Sequence, residues 1–293
     1  MSQFAFFGAV ELGLVFAFVA MGVYLAFRIL DFPDLTVDGS FPLGAAVAAV
    51  LILAGWNPWA ATGVAMLAGA CAGLVTAALN VQFRILNLLA SILTMIALFS
   101  VNLRIMGRPN IALINQDTML TPFYGHGLPD YYVRPLFVFV LVVIALVALW
   151  RFLESDIGLA MRATGANPRM ARAQGVKTNR LIYLGMAISN ALVALGGSLF
   201  AQTNGFADVT SGVGTIVVGL AAVIVGETLF RSRLLVIALI GCVAGSILYR
   251  IAIQTALSTD VLGLKASDLN LVTAVLVAIA LILPRLRRGG ASA

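Results

Sequence analysis

The stretch RILDFPDLTVDGSFPLG, residues 28–44, lies between two apolar runs and carries three aspartates and two prolines. A charged side chain at the centre of a bilayer costs at least about 2.5–3.5 kcal/mol on insertion scales, so these aspartates must face water or protein rather than lipid. Pro33 and Pro42 are expected to interrupt a continuous helix. We therefore predict that residues 31–40 form a break between two helices, and that the following span, 41–55, is short for a membrane crossing.

Composition places this stretch in an integral membrane protein. The chain has 293 residues, of which 61% are hydrophobic and 10% charged, whereas roughly a quarter of the residues in a soluble domain are charged. The apolar runs are continuous and do not alternate, which indicates helices rather than a β-barrel. Residues 1–293 are predicted to form a single all-α polytopic transmembrane domain of about 8–10 membrane helices. The predicted spans are 4–28, 41–55, 58–80, 85–106, 135–153, 181–201, 213–230, 234–253 and 269–284.

The basic residues indicate how these spans are oriented. The formal net charge is +6, but the Lys and Arg residues cluster beside apolar spans, which is typical of membrane orientation rather than nucleic-acid binding. The loop 154–180 and the C-terminal RLRRGG segment are predicted to be cytoplasmic. Alternation of the spans then places 107–134 on the outer side, where Arg108 and Arg134 are exceptions to the charge rule.

The loop 154–180 contains signals for a short helix. Asn167 is a good N-cap, Pro168 suits the first helical position, and Gly175 is a typical C-terminal stop. These residues predict a helix at about 168–174 that is too short to be stable alone in water. One interpretation is a basic loop that only fixes topology, and the other is a coupling element that docks against a cytoplasmic partner.

A family resemblance favours the coupling element. The loop resembles that of the permeases of bacterial ABC importers related to those for branched-chain amino acids and ribose, the second binding-protein-dependent permease family. The resemblance extends over about residues 10–284, and the stretch PDLTVDGSFPLGAA is similar to a subgroup with links to aromatic amino acids. Asp38 departs from the sugar-permease pattern. The matching residues are Gly158, Arg162, Ala163, Gly165, Asn167, Pro168, Ala171 and Gly175 in the loop, and Asp34, Leu35, Thr36, Val37 and Gly39 in the opening stretch.

The resemblance implies a type II ABC importer fold in the bacterial inner membrane and a set of partners. Two ATP-binding cassette ATPase subunits would bind the loop 154–180 and hold ATP and Mg²⁺, so no cofactor is expected in this chain. An extracytoplasmic solute-binding protein would dock on 107–134 and 254–268, and a second permease copy would complete a homodimer. The residues expected to couple to the ATPase are Gly158, Arg162, Gly165, Asn167, Pro168, Arg169, Arg172 and Gly175.

The chain carries no sign of its own chemistry. Its two lysines, Lys177 in GVKT and Lys265 in GLKA, do not fit the phosphate-binding pattern G-x-x-x-x-G-K-[ST]. His126 is the single histidine and indicates neither a metal site nor a catalytic triad. The sequence therefore predicts neither an enzyme nor a metal site.

The sequence motif of the break at residues 31–40 occurs a second time in the chain. Residues 32–36 read FPDLT and residues 206–210 read FADVT, and they precede GAAV (44–47) and GLAAV (219–223) respectively. Five predicted spans separate the two segments, and this odd number puts them on opposite membrane faces. The pattern predicts an inverted-topology repeat with broken helices beside a translocation path.

Polar residues in and near the spans are the candidates for that path. For any single one of them, interhelical hydrogen bonding is the better explanation, but as a set they mark the inward faces of the helices. Glu227 lies four residues before Arg231, which predicts an ion pair within one helix. The predicted path residues are Asp34, Thr36, Asp38, Ser40, Asn87, Asn190, Asn204, Asp208 and Thr210, with Ser91, Thr94, Asn102, Ser189 and Ser211 as further candidates.

Three functions are compatible with this pattern. The leading hypothesis is the permease subunit of an ABC importer for a small solute, an aromatic or branched-chain amino acid. The second is a secondary transporter that uses an ion gradient, with Asp34, Asp38 or Asp208 as proton or sodium sites. The third is a membrane scaffold without transport activity. A capped, surface-docking helix in the loop favours the first, because an ion-driven carrier does not need one.

Overall fold

The computed structural model describes residues 3–123, 129–230 and 234–258, and these residues are mostly helical. The predicted all-α class is confirmed. A single short β-ladder, in which β1 and β2 are antiparallel, occurs in this part of the chain. The elements are α1 (Gln3–Val23), α2 (Val37–Leu53), α3 (Pro58–Val81), α4 (Asn87–Met106), β1 (Asn110–Ala112), α5 (Asp130–Glu154), α6 (Asp156–Ala166), α7 (Pro168–Ala173), α8 (Thr178–Asn204), β2 (Phe206–Asp208), α9 (Thr215–Leu229) and α10 (Leu235–Ser258).

Eight of the nine predicted spans correspond to helices. Within the described residues, seven helices are long and apolar enough to cross a membrane, and α2 is an eighth, shorter apolar helix of 17 residues. The ninth predicted span, 269–284, lies outside the described residues. The short second span is therefore confirmed, although it begins four residues earlier than predicted.

Helix α8 lies at the centre of the bundle and contacts α1, α2 and α3. Small residues let the backbones approach closely. A methyl group on Gly44 of α2 would lie 2.0 Å from the carbonyl oxygen of Ala194, and one on Gly73 of α3 would lie 2.2 Å from that of Met186. Glycine is therefore required where α2 and α3 cross α8.

The first break occupies residues 30–36. Helix α1 continues as a π-helical turn, Tyr24–Ile29, and the chain then reverses through Asp31, whose φ is 53°. The expectation that Pro42 interrupts the helix is wrong, because α2 already begins at Val37 and includes Pro42. The proline leaves the carbonyl of Asp38 without its usual helical donor. Gly212 lies against that carbonyl, where a methyl group would be 2.0 Å from the oxygen.

The second break joins α8 to α9. Gly205 ends α8 in the left-handed conformation with φ of 75°, and β2 then pairs with β1. A 3₁₀ turn, Val209–Gly212, leads into α9, which has only 15 residues and reaches membrane-spanning length only together with this turn, as Val209–Leu229. The sequence predicted broken helices of this kind. Each break is followed by a short helix, α2 after the first and α9 after the second.

Helices α2 and α9 begin next to each other and run in opposite directions. Their first turns touch through Asp38, whereas the last turns of α2 cluster with Ile111 and Ala207 beside the β-ladder. The last turn of α9 is paired with Arg28 at the other end of α1. The two breaks are therefore entered from opposite ends of the bundle, as an inverted repeat requires.

The loop between α5 and α8 contains two helices. The predicted short helix is confirmed as α7, with Asn167 as its N-cap and Pro168 in its first turn. Helix α6 was not predicted. The hydroxyl of Ser155 accepts a hydrogen bond from the amide of Gly158 and so caps α6. Serine before an acidic residue is a common N-cap signal, and it was present in the sequence.

Candidate functional site

Four of the predicted path residues form one hydrogen-bonded cluster at the first break. The side-chain amide of Asn190 donates to Asp34 Oδ2 at 2.8 Å, and the backbone amide of Thr36 donates to Asp34 Oδ1 at 2.9 Å. Ser40 Oγ donates to Asn190 Oδ1 at 2.7 Å. Thr76 of α3, which the sequence did not single out, completes the cluster, since its hydroxyl lies 2.8 Å from that of Thr36.

This cluster is enclosed by protein. Asp34, Thr36, Ser40 and Asn190 have no exposed surface, so each serves here as a contact between helices. The carboxylate of Asp34 joins the first break to the middle of α8. A role of these residues in the path stays a prediction that requires the helices to separate.

Asp38 links the two broken helices directly. It lies in the first turn of α2, and its carboxylate accepts hydrogen bonds from the amides of Gly214 at 3.2 Å and Ile216 at 2.7 Å. The first amides of a helix have no partner within the helix, and the N-terminus carries partial positive charge. The carboxylate of Asp38 therefore caps α9 from a neighbouring helix.

Asp208 and Thr210 form a turn at the opposite end of the bundle from the loop helices. The amide and hydroxyl of Thr210 each donate to Asp208 Oδ1 at 2.6 Å, and the amide group of Asn110 donates to Oδ2 at 3.1 Å. Partial burial raises the pKa of Asp208, but the hydrogen bonds from Thr210 and Asn110 outweigh it, so the pKa lies below its usual value. Asp208 is therefore a carboxylate that is stabilised in its charged form.

Other predicted path residues lie away from the junction of α2 and α9. Asn87 accepts a hydrogen bond from the side chain of Asn80 at the turn between α3 and α4. Asn204 is exposed at the end of α8 and donates to its own helix. Asn102 does reach the junction, because it donates to the carbonyl of Gly39 at 3.1 Å. The hydroxyls of four further candidates donate to backbone carbonyls, namely those of Ser91, Thr94, Ser189 and Ser211.

The sequence did not predict an ion pair that lies at the end of the bundle where α6 and α7 are found. Arg28, in the π-helical turn after α1, donates two hydrogen bonds to the carboxylate of Glu227 in the last turns of α9. The expected partner, Arg231, lies outside the described residues, and α9 ends at Leu229 before reaching it. No local pattern connects residues 199 positions apart, so the sequence offered no signal for this pair.

The predicted coupling residues divide into buried and exposed groups. Gly158 and Gly165 sit where helices meet, and a methyl group on Gly165 would lie 1.9 Å from the carbonyl oxygen of Ile29. Helix α6 thus rests directly on the end of the first transmembrane segment. The exposed group surrounds the N-cap and includes Arg162, Asn167, Pro168, Arg169, Arg172 and Gly175.

Helix α7 presents these residues to the surroundings. The side chain of Asn167 accepts hydrogen bonds from the amides of Arg169 and Met170 at 3.1 and 3.0 Å, and Arg172 Nε donates to the carbonyl of Pro168 at 3.1 Å. Met170 is 63% exposed beside these arginines. The helix is therefore held by its own caps while one apolar and two basic side chains remain available to a partner.

The loop that follows α4 is fastened to the bundle by a separate polar contact. The amide of Met119 donates to Gln202 Oε1 at 3.1 Å, and Gln202 Nε2 donates to Thr62 Oγ1 at 2.8 Å. Ser198 joins the same group through the hydroxyl of Thr62. These bonds hold part of the predicted 107–134 docking loop against α3 and α8.

Comparison with known proteins shows a consistent set of similarities. Residues 6–283 match the family described as the permease component of branched-chain amino acid transport systems. The tyrosine transport system permease protein of Clostridioides difficile is 39% identical over 264 residues, which are 90% of this chain and 86% of that protein. The ribose import permease of Escherichia coli K12 is 26% identical over 67% of this chain and 60% of that protein.

Two further similarities extend over almost the whole chain. An uncharacterised protein of Rickettsia prowazekii, RP368, is 34% identical over 93% of this chain and 95% of its own length. Among solved structures, PsaBC from Streptococcus pneumoniae in complex with Fab shares the fold with a TM-score of 0.50 and 16% identity, covering 96% of this chain and 91% of that chain.

Proposed function

Since the chain belongs to the permease family of branched-chain amino acid transport systems, we propose that it conducts an amino acid, aromatic in the first instance, into the cell. It is an ABC permease subunit and a multi-pass protein of the bacterial inner membrane. Family membership supports the first of the three hypotheses over an ion-driven carrier or a scaffold. The proposal itself concerns the solute, the partners and the way the subunit is driven.

Similarity supports an aromatic amino acid as the solute. The relative named for tyrosine transport is 39% identical, whereas the relatives named for ribose are 25–26% identical. The stretch with Asp38 departs from the sugar-permease pattern. Branched-chain amino acids, which the family description names, are the second choice.

The single observation that carries the coupling proposal is the geometry of α6 and α7. Helix α7 exposes Arg169, Met170 and Arg172 on a capped surface, and α6 rests on Ile29 through Gly165. An ATPase that grips α7 would therefore push or pull the segment that leads into the first break. ATP and Mg²⁺ would be held by that ATPase.

The broken helices would convert this movement into opening of the path. Asp38 ties the start of α2 to the start of α9, and Arg28 ties the end of α9 to the end of α1. A shift of Ile29 is thus transmitted to both short helices. Separation of the Asp34 cluster would then expose polar groups between α2, α3 and α8.

The remaining partners follow from the same proposal. A solute-binding protein would deliver the amino acid to 107–134 and 254–268, of which residues 124–128 and 259–268 lie outside the described part of the chain. A second copy of the permease would complete a homodimer around the path. Specificity would rest largely with the binding protein.

Reversal of charge on α7 tests the coupling proposal. Arg172→Glu should leave membrane insertion intact but lower ATP-driven tyrosine uptake about tenfold and weaken co-purification of the ATPase, because the docking surface acquires a repelling charge. Arg84→Glu is the matched control, since Arg84 is an exposed arginine in the loop between α3 and α4, at the same end of the bundle. It should transport normally.

Two results would contradict the proposal. One is normal uptake and normal co-purification with Arg172→Glu. The other is uptake by purified permease in proteoliposomes that contain no ATPase and are energised by an ion gradient alone, because that would identify a secondary transporter. Reconstitution with [¹⁴C]tyrosine measures both.

A further inference from the structure

Arg250 is an arginine inside a membrane span that the proposed mechanism does not use. It belongs to α10, within the apolar segment Leu235–Ala256. Charged side chains at such depth are rare, face the protein interior and usually mark a substrate or ion pathway. Other arginines of the described spans, such as Arg28, Arg104 and Arg151, lie in the last turns of their helices, where they reach the membrane surface.

The guanidinium of Arg250 has an aromatic neighbour but no acidic one in the described residues. Its central carbon lies 4.1 Å from the centroid of the Phe16 ring, a close cation–π contact. Its Nε–H is shielded from solvent and has no hydrogen-bond acceptor among the described residues. Within residues 3–123, 129–230 and 234–258, no carboxylate lies within salt-bridge distance of it. Arg250 as a whole is half-buried, but its shielded Nε–H lacks the partner that a buried polar group ordinarily has.

A row of aromatic rings connects this guanidinium with the surface. Phe16 stacks on Phe41 at a centroid distance of 5.4 Å, Phe41 lies 5.5 Å from Phe200, and Phe200 lies 6.2 Å from Phe206. Phe206 is 38% exposed in β2, at the end of the bundle opposite the loop helices. An aromatic side chain that entered at this end would meet ring after ring before it reached the arginine.

We propose that Arg250 binds the carboxylate of the aromatic amino acid during transport, while the row Phe16, Phe41, Phe200 and Phe206 contacts its ring. This inference rests on the proposed function, since it identifies the binding groups for that solute. Phe16 covers one face of the guanidinium, so the N–H groups along its edge are the ones available. That edge matches a carboxylate with two parallel hydrogen bonds.

The shielded Nε–H gives the site a dependence on conformation. In the present conformation this donor is shielded from water and finds no acceptor in the part of the chain that the structure describes. A conformation in which α10 separates from α1 would present the donor to a solute carboxylate and satisfy it. The site therefore binds the solute in the open state and releases it when α1 and α10 close again.

The test uses the full-length permease in nanodiscs and three related probes. L-Tyrosine has both charged groups, tyramine lacks the carboxylate, and 3-(4-hydroxyphenyl)propionate lacks the amine. Binding of [³H]tyrosine should be displaced by the propionate but not by tyramine. Arg250→Gln should weaken tyrosine binding about ten- to a hundredfold, because it removes a charge-assisted hydrogen bond. Arg250→Lys should restore part of it, and Arg104→Gln, in an exposed position on α4, should change nothing.

A second variant separates binding from folding. Phe16→Leu keeps the arginine and removes the ring beneath it, so it should weaken tyrosine binding less than Arg250→Gln does. Thermal unfolding of each variant is measured in the same nanodiscs. If Arg250→Gln does not fold, the comparison of Arg250→Lys with wild type gives the same test through the ratio of tyrosine to tyramine binding.

Three outcomes would overturn the inference. One is equal displacement by tyramine and by the propionate. Another is unchanged tyrosine affinity in Arg250→Gln. The third is an Asp260→Asn or Asp268→Asn variant that loses stability as Arg250→Gln does, because Arg250 would then have an acidic partner in its own chain. In the first two, normal tyrosine uptake by the complete importer would leave the proposed function standing, whereas uptake of another solute instead of tyrosine would reject that function.

Discussion

The two breaks share a local structure but differ in their surroundings. In both, the aspartate accepts a hydrogen bond from the amide of the threonine two residues later, at 2.9 Å for Asp34 and 2.6 Å for Asp208. Asp34 is fully buried and bound by α8, whereas Asp208 is partly exposed and bound by Asn110 of β1. The five-residue motif fixes a turn, and tertiary packing makes one turn a central contact and the other a surface feature.

The breaks also differ in how their helices begin. The first amides of α9 are capped by Asp38, which belongs to the first break's helix. The start of α2 has no side-chain cap from its own N-cap residue, Thr36. The two repeats are therefore related in the direction of their chains but differ in their side-chain contacts. The contacts that hold both short helices come from the first break and its helix.

The largest difference between the breaks is expected on removal of each aspartate. Asp34→Ala leaves buried donors of Thr36 and Asn190 without acceptors and should lower the free energy of unfolding by about 2–4 kcal/mol. Asp208→Ala, at a partly exposed turn, should lower it by less than about 1 kcal/mol. Denaturant titration in mixed micelles measures both. Equal losses of unfolding free energy would show that the two turns contribute equally to stability.

A second test asks whether the loop acts on the first break. A methyl group on Gly165 would lie 1.9 Å from the carbonyl oxygen of Ile29, so Gly165→Ala should displace α6 and cost about 1–3 kcal/mol. ATP-driven uptake should fall while the exposed surface of α7 still binds the ATPase. Gly63→Ala is the matched control, because a methyl group there meets nothing within 4 Å. Normal uptake by Gly165→Ala would show that α6 does not act on the first break.

The cap between the breaks should have a smaller effect on stability. Asp38→Ala removes the acceptor for two amides of α9 and should cost about 0.5–2 kcal/mol, as loss of a helix cap does. Asp38→Asn keeps one acceptor and should lose less. Thermal unfolding of both variants in detergent provides the comparison. If alanine and asparagine behave alike, the hydrogen bonds to Gly214 and Ile216 contribute little.

The smallest effect concerns pH at the second break. The pKa of Asp208 is lower in the folded protein than its ordinary value of 3.8, so its contribution to stability is present above that value and is lost as the pH falls through the folded-state pKa. We expect a change below about 1 kcal/mol because the carboxylate is partly exposed and solvent weakens its interactions. Asp208→Asn should remove this part of the acid dependence. If the stability of Asp208→Asn depends on acidic pH as that of the wild type does, Asp208 does not contribute to the acid dependence.

Residues that act within one helix were predictable from the sequence. Asn167, Pro168 and Gly175 define α7 through caps and backbone preference, which are local properties. The limits of the spans follow equally from apolar run length. Pro42 was misjudged because the helix begins before it, at Val37, and the segment that packs against this first turn, at Gly212, is 170 residues away in the chain.

Contacts between distant segments were not predictable in the same way. The sequence placed Asp34 and Asn190 on one list of polar candidates, but only the fold shows that they bond each other while Asn87 and Asn204 lie elsewhere. Glu227 had a plausible local partner in Arg231, whereas the sequence suggested no partner for Arg28. The pairing of Arg28 with Glu227 depends on the parallel placement of α1 and α9, whose C-terminal ends meet, and no short pattern encodes that placement.

The sequence by itself determined that this chain is a helical permease with two opposed breaks and a capped short helix in the loop 154–180. Hydropathy, charge bias and capping are properties of neighbouring residues, so they can be read without a structure. The tertiary structure alone decided which carboxylate is buried, that Asp38 caps the other broken helix, and that Arg250 lies over Phe16. These contacts join segments that lie far apart in the chain, and only close packing of the helices brings their side chains within reach.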